Sequence, residues 1–319
     1  MKGILRYKSG WSQFLVLICV VLVSFVLLGF IFSLLVFYRY QGSLGIKSIG
    51  DISSIDYSNP NAVDFIRWMQ VVQFFTLFLL PCLFCAWLFG KNSYNYLRLK
   101  APWHFGYWPA GILIMILAIP FTNLLGVLNQ QMKFSGSVAD WMRKSEDDAA
   151  KTIQALLSQR TLKDLLLNVF FIAGLAAIGE ELLFRGMIQR ILIKIFKNHW
   201  VGITIAAILF SALHMQFYGF FPRFALGMIL GAIYWYSGSL YTVMLAHFVY
   251  DAFVIVVAYY YPQTMDTKGG LEGNVVMIAG CLSALLVVGL LTWMKKKSKT
   301  SFQEVYAQDH PDPTNPFEF

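Results

Sequence analysis

The sequence predicts an all-α integral membrane protein, a polytopic helical bundle of about eight transmembrane helices. Three observations predict this class: 58% of the residues are hydrophobic, only 13% are charged, and long apolar runs recur along the whole chain. A mean hydropathy of +0.60 is well above that of soluble globular domains. The 319 residues are therefore better counted in membrane spans than in soluble domains.

The predicted spans follow one another with short connections. The first run, residues 11–38, is far longer than the core of a signal peptide, so we expect it to remain as a span. Seven further runs follow, and the sixth run of the chain is the least clearly marked. They cover residues 69–90, 107–128, 165–196, 200–217, 221–237, 239–261 and 273–294.

Basic residues cluster at one end of the predicted bundle. They lie in the N-terminal segment and around residues 91–100, 190–197 and 295–299, whereas acidic residues occur in the opposite loops, 39–68 and 262–272. The positive-inside rule places the basic end, with both termini, in the cytoplasm, and for a bacterial chain the membrane is the cell (inner) membrane. A net charge of +8 distributed in this way predicts a lipid bilayer as partner and no nucleic acid.

The segment of residues 130–160 differs from the spans, because it mixes charged and apolar residues at helical spacing. It predicts either an amphipathic helix on the membrane surface or a solvated loop helix. The segment after Lys299 carries several prolines among polar residues and shows no periodicity, which predicts disorder.

Ionisable residues interrupt three of the apolar runs. A charged side chain at mid-bilayer depth costs about 2.5–3.5 kcal/mol on the insertion scale, so such residues need partners, water or a function. They are Glu180, Glu181 and Arg185 in IGEELLFRG, His214 in ILFSALHMQ, and His247 with Asp251 in MLAHFVYDAF. These six residues are the candidate site.

Helix geometry separates the two glutamates. Residues four apart share a helix face, so Glu181 can pair with Arg185, and His247 can lie beside Asp251. Glu180 points about 100° away from Glu181 and can face another helix. The Glu181–Arg185 pair can equally serve only to fix helix packing.

Three of these side chains agree in depth. At ~1.5 Å per residue, Glu180 lies about 24 Å from Phe196 at the basic end, and His214 lies about 21 Å from the start of its own run. His247 lies roughly 14 Å from Gly238, which matches only if the turn at Gly238 is recessed into the protein. We therefore expect Glu180, His214 and His247 to surround one water-filled cavity.

This group of side chains predicts hydrolysis by either of two routes. A carboxylate beside a neutral imidazole, here Glu180 and His214, can hold and deprotonate a water molecule. His247, together with Asp251 on the same helix face, would then stabilise the negative charge that develops on a carbonyl oxygen. Alternatively, Glu180, His214 and His247 are candidate ligands for zinc, which would leave a fourth position for the water.

A non-enzymatic membrane protein is the alternative. A proton-coupled permease uses buried Glu, His and Asp side chains as a relay, and a scaffold or immunity protein that protects a partner can carry them too. A relay predicts a polar path that continues to the far side of the membrane. Apart from Tyr218, Arg223 and a few loop residues, the sequence has little polar material there, which disfavours transport.

The ordered motifs resemble those of the CPBP or ABI family of intramembrane proteases, which includes type II CAAX prenyl endopeptidases and bacteriocin-processing or immunity proteins. Each motif alone is weak, but three in order on neighbouring spans are specific. The family's EExxxR motif is similar to Glu180, Glu181 and Arg185, its FxxxH motif to Phe210 and His214, and its histidine followed four residues later by Asn or Asp to His247 and Asp251.

The resemblance covers about residues 163–261 and implies an intramembrane endopeptidase. It implies that Glu180 activates water with His214, that the second glutamate and the arginine organise the site, and that the third motif stabilises the oxyanion. Asp251 departs from members that have Asn, because an ionised carboxylate cannot donate a hydrogen bond to an oxyanion. It is expected to be protonated, to orient His247, or to bind a metal.

The resemblance also implies a peptide or protein substrate, lipidated or not, with a CAAX-like or leader-peptide cleavage site. The chain then divides into four parts. These are residues 1–160 with the N-terminal transmembrane helices and the 130–160 segment, 161–262 with the catalytic core, 263–294 with the last transmembrane helix, and 295–319 with a basic and then disordered cytoplasmic tail.

Overall fold

The structure is a computed structural model and describes residues 2–48, 55–56, 59–158, 160–262 and 273–309. Its regular elements within these ranges are helices, and none of the described residues forms a strand. In chain order the helices are α1 (Gly10–Leu44), α2 (Pro60–Phe89), α3 (Tyr107–Gln130), α4 (Gly136–Ser158), α5 (Leu162–Phe196), α6 (His199–Leu213), α7 (Phe220–Ser237), α8 (Leu240–Tyr260), α9 (Gly273–Lys297) and α10 (Phe302–Tyr306). A single helical turn, Ser93–Tyr96, separates α2 from α3.

The predicted fold class is confirmed. Within the described ranges, seven helices are long and apolar enough to cross a membrane, namely α1, α2, α3, α5, α7 with the 3-10 turn before it, α8 and α9. The fifth predicted run, residues 200–217, corresponds to α6, which has only 15 residues. The least clearly marked run is a full helix, α7, and it is among the most buried of the seven.

Helix ends follow from local residue chemistry. The side chains of Asn59, Thr161, Asn198 and Ser239 accept hydrogen bonds from backbone N–H groups in the first turns of α2, α5, α6 and α8. Gly238 ends α7 with a φ of +65°, a left-handed conformation that glycine adopts without strain. Helix α8 therefore starts directly after α7, and the two helices run antiparallel.

The centre of the bundle is α3, on which α7, α8 and α9 pack, while α6 and α7 form a close antiparallel pair. Gly227 permits this approach, because a Cβ atom there would lie 2.9 Å from the Cβ of Ala207. At the end away from the basic loops, the buried Arg67 of α2 contacts Asp164 and Asn168 of α5 at 3.1 and 2.9 Å. This charged cluster fixes α2 against α5.

The segment predicted to be a surface or loop helix is the helix α4. It buries Ala139, Ala155 and Leu156 and leaves most of its charged residues exposed, as an amphipathic helix does. Its last turn packs on the start of α5, where the side-chain amide of Asn168 donates to the carbonyl of Leu156 at 2.6 Å.

The tail differs from the predicted disorder over residues 302–309. Phe302 and Tyr306 lie four apart and pack against the core through one face of α10, and the Tyr306 hydroxyl donates to the carbonyl of Arg190 at 2.6 Å. Asp309 pairs with Arg190 at 3.3 Å and with Lys194 at 3.0 Å. The buried guanidinium of Arg190 needs an anion, and the tail provides it.

Residues 310–319 lie outside the described residues, as do 263–272 and most of the loop before α2.

Candidate active site

The six predicted residues meet at the middle of the bundle, where three helices converge. Helix α5 provides Glu180, Glu181 and Arg185, residue His214 follows the last turn of α6, and α8 provides His247 and Asp251. The expectation that Glu180, His214 and His247 surround one cavity agrees with the observed geometry, since all three line the same space.

Helix α5 is irregular at this point. A regular stretch, Leu175–Glu181, lies between two π-helical stretches, Val169–Gly174 and Leu182–Gln189. Such π-helical turns occur often at functional sites, because the wider turn re-aims side chains. Here the side chain of Glu180 lines the cavity with 17% of its surface exposed, whereas that of Glu181 is fully buried.

Glu181 is held by charged partners within the bundle. Arg185 Nη1 lies 2.7 Å from Glu181 Oε1, so the predicted four-residue pair forms. The second Arg185 nitrogen donates to the carbonyl of Gly227 at 3.2 Å, and the guanidinium lies 4.8 Å from the ring centre of Phe210. These contacts tie α5 to α6 and α7 around a buried ion pair.

His247 lies between carboxylates from two helices. Its Nδ1 is 2.8 Å from Glu181 Oε1, and its Nε2 is 3.3 Å from Asp251 Oδ2 and 4.0 Å from Glu180 Oε2. A neutral imidazole has one N–H and can donate to only one of these sides, whereas an imidazolium donates to both. The carboxylates therefore fix the orientation of the ring.

Glu180 and His214 face each other across the cavity. Glu180 Oε1 lies 3.9 Å from His214 Nε2, while His214 Nδ1 lies 2.7 Å from the carbonyl oxygen of Phe210. A carbonyl oxygen only accepts, so Nδ1 carries the hydrogen and, in the neutral ring, Nε2 presents a lone pair toward Glu180. Phe210 of the predicted FxxxH motif thus fixes the histidine through its backbone.

The depth of His247 is explained by the turn between α7 and α8. Ser237 and Ser239 are 1% and 0% exposed, and the Ser239 hydroxyl donates to the carbonyl of Lys100 at 2.5 Å. The turn at Gly238 is therefore recessed under the segment that precedes α3, as the depth argument requires.

The cavity has a volume of about 1080 Å³ and a mostly apolar lining. Its polar lining residues include Glu180, His214, His247 and Asp251. Sequence reasoning missed several of its polar lining residues, among them Tyr250 and Arg223, of which the second was noted without a role. Arg223 donates to the backbone carbonyl and to the side-chain oxygen of Gln216. The sequence feature that could have drawn attention to Arg223 is its position as an isolated arginine directly after Pro222, at the start of an apolar helix.

The candidate zinc ligands do not have the geometry of a metal site. Among the residues that the structure describes, no three His, Cys, Asp or Glu side chains are arranged to hold a metal ion. His214 and His247 bond through Nδ1 to Phe210 and Glu181, which leaves Nε2 of each ring as the nitrogen that would face a metal. His247 Nε2 lies 3.3 Å from Asp251 Oδ2.

Comparison with known proteins agrees with the three motifs. Residues 162–253 match the family described as Type II CAAX prenyl endopeptidase Rce1-like. This segment is similar to the CAAX proteases. The Rce1-like segment contains all six candidate residues and runs from the start of α5 into α8. The family is one of membrane-embedded proteases, and together with seven apolar helices it identifies the chain as an integral membrane protein.

A curated relative is the uncharacterized protein YpbD of Bacillus subtilis (strain 168). It is 29% identical over 120 residues, which cover 36% of this chain and 57% of that protein. The match thus spans little more than half of the relative's length. No solved structure is significantly similar to this chain.

Proposed function

We propose that the chain is an intramembrane endopeptidase that hydrolyses a peptide bond with a water molecule activated by Glu180. The observation that carries the proposal is the pairing of Glu180 with His214 at 3.9 Å on the wall of a large cavity. The similarity of residues 162–253 to a protease family supports the reaction class.

The spacing of the two side chains suits a bridging water. Glu180 Oε1 and His214 Nε2 are both acceptors and lie 3.9 Å apart, too far for a direct hydrogen bond. One water at about 2.8 Å from each acceptor would see the two acceptors at an angle of about 90°, which lets it donate one hydrogen to each. The carboxylate then takes one proton as the oxygen attacks the carbonyl carbon of the substrate.

The remaining steps return that proton. Attack forms a tetrahedral intermediate with a negative oxygen. In this proposal His247 is an imidazolium, which donates to Glu181 from Nδ1 and stabilises that oxygen through its Nε2–H. The C–N bond then breaks, and the proton held by Glu180 passes to the leaving nitrogen. Water is thereby divided between the two products, and Glu180 is returned to its starting form.

Glu181, Arg185 and Asp251 act as positioning residues in this proposal. Glu181 accepts from His247 Nδ1 and is itself held by Arg185, so it orients the ring. Asp251 is 3.3 Å from the other ring nitrogen and lines the cavity. Of the three roles open to Asp251, this position favours orientation of His247.

The substrate proposed is a peptide or protein at the membrane, lipidated or not, with a CAAX-like or leader-peptide cleavage site. The family description supports a substrate of this kind. We also propose that the basic end of the bundle, with both termini, faces the cytoplasm.

Mass-spectrometric mapping of peptide termini tests the proposal even while the natural substrate is unidentified. Membranes from cells that express the native chain are compared with membranes from cells that express equal amounts of Glu180→Gln or His214→Ala. New termini that appear only with the native chain support a peptidase. An identical set of termini in all three, with the cellular phenotype retained by the variants, would instead support the scaffold or immunity function.

A further inference from the structure

The cavity is displaced toward one end of the bundle. The basic end consists of the N-terminal segment up to Lys8, residues 91–100, residues 194–197 and residues 295–299. The residues that line the cavity come mostly from the middle of the long helices and from their halves farther from this end. They include Gln70 to Phe78 of α2, Met115 to Gly126 of α3, Phe171 to Glu180 of α5, His247 to Ala258 of α8, and Val276 and Ala279 of α9.

The protein is closed between the cavity and the basic end. Every residue from Glu181 to Ile193 of α5 is buried, and so is every residue from Ile229 to Leu240, which includes the turn between α7 and α8. Tyr306 and Asp309 of the tail pack over Arg190 on the same side. This layer excludes a polypeptide arriving from the basic end.

At the opposite end the wall of the cavity is exposed. Asn123 lies in the half of α3 farther from the basic end, lines the cavity and is exposed. Gln73, near the middle of α2, also lines the cavity and is exposed. On α8, Phe253 and Val254 line the cavity and are 44% and 42% exposed. Ile153 of the amphipathic helix α4 also contributes to this rim. Among the described residues that line the cavity, Arg223 is the only lysine or arginine.

We propose that the site receives its substrate from the extracytoplasmic side of the membrane. The basic end is cytoplasmic by the positive-inside rule, and the cavity opens away from it. The substrate class is therefore a polypeptide segment that has been translocated, such as the outer flank of a membrane anchor or the leader of an exported peptide. The substrate class rests on the proposed endopeptidase function, whereas the side of access does not.

Thiol accessibility tests the side of access. The four native cysteines, Cys19, Cys82, Cys85 and Cys281, are replaced by alanine or serine, and a single cysteine is introduced as Asn123→Cys or Ile153→Cys. The control is Lys296→Cys, an exposed position at the basic end. Intact bacterial cells expressing each variant are treated with a membrane-impermeant maleimide, and the remaining thiols are then counted after lysis.

The expected result is that the thiols at 123 and 153 are blocked in intact cells, whereas the thiol at 296 is blocked only after permeabilisation. The reverse pattern overturns the proposal, and so does a cavity thiol that stays unlabelled in both conditions. A second variant set carrying Glu180→Gln should label identically. Labelling needs no catalysis, so a failure here is distinguishable from a failure of the peptidase assignment.

Discussion

His247 of α8 and Glu181 of α5 lie 2.8 Å apart, from ring Nδ1 to Oε1, and both side chains are buried. The same Glu181 oxygen is 2.7 Å from Arg185 Nη1. One carboxylate oxygen thus holds the cation of its own helix and the histidine of another. This relationship fixes the ring that faces Glu180 and makes the stability of the bundle depend on the site.

We expect Glu181→Ala to destabilise the protein strongly. Loss of the carboxylate leaves Arg185 as an unpaired buried charge, which costs about 3–5 kcal/mol in comparable buried pairs. The free energy of unfolding in mixed-detergent titrations measures this. Glu304→Gln is the matched control, because its carboxylate pairs with Arg98 but is 43% exposed, and such pairs contribute less than about 1 kcal/mol. Equal stability of the two variants would contradict the role given to Glu181.

Substitutions of Asp251 test whether this residue acts by orienting His247 or whether cleavage requires its negative charge. Asp251→Asn keeps an oxygen that can accept from His247 Nε2 and adds an N–H that can donate to an oxyanion. We expect its cleavage rate to stay within about tenfold of the native rate, whereas Asp251→Leu loses about 10²-fold or more. A loss in Asp251→Asn as large as in Asp251→Leu would show that the charge itself is needed.

His214 should be sensitive to removal, and its neighbour Phe210 should not. His214→Ala removes the acceptor that faces Glu180, and we expect a loss of about 10²–10⁴-fold in cleavage rate. Phe210→Leu removes the ring but retains the backbone carbonyl that bonds to Nδ1. Its rate should fall by less than about tenfold. Comparable losses in both variants would indicate that packing, and not the imidazole, is what matters.

The contact between the tail and Arg190 leads to a separate prediction for the basic end of the bundle. Asp309→Ala leaves Arg190 and Lys194 without their carboxylate, so we expect α10 to detach and to become sensitive to protease added at the basic end. Asp140→Ala is the control, because that carboxylate pairs with Arg143 on the surface. Limited proteolysis with detection of a C-terminal tag measures the effect. An unchanged protease sensitivity in Asp309→Ala would show that the apolar contacts of α10 suffice.

Much of the fold and the site could be predicted from the sequence, because a chain inside a bilayer is limited to long apolar helices and to few buried charges. Apolar length locates spans, and the uniform rise of a helix places Glu180 and His214 at one depth. The four-residue spacing of Glu181 and Arg185 predicts their contact directly.

Other features depend on contacts between distant parts of the chain. Arg67 meets Asp164 only after α2 and α5 have packed, and no local pattern predicts this pairing. The helix in the tail could not be predicted, because α10 is too short to show a helical periodicity in the sequence. Its docking also depends on a distant residue, the buried Arg190. The position of Arg223 in the cavity wall likewise follows from where the α6–α7 connection lies.

The most direct test of the central claim is the rate of peptide-bond cleavage by purified Glu180→Gln in detergent or liposomes, with a substrate found by mapping of peptide termini. The glutamine keeps the shape of the side chain but cannot accept a proton from water. We predict a fall of at least about 10²–10⁴-fold in kcat with unfolding behaviour like that of the native protein. Cleavage by folded Glu180→Gln at the native rate would contradict the account.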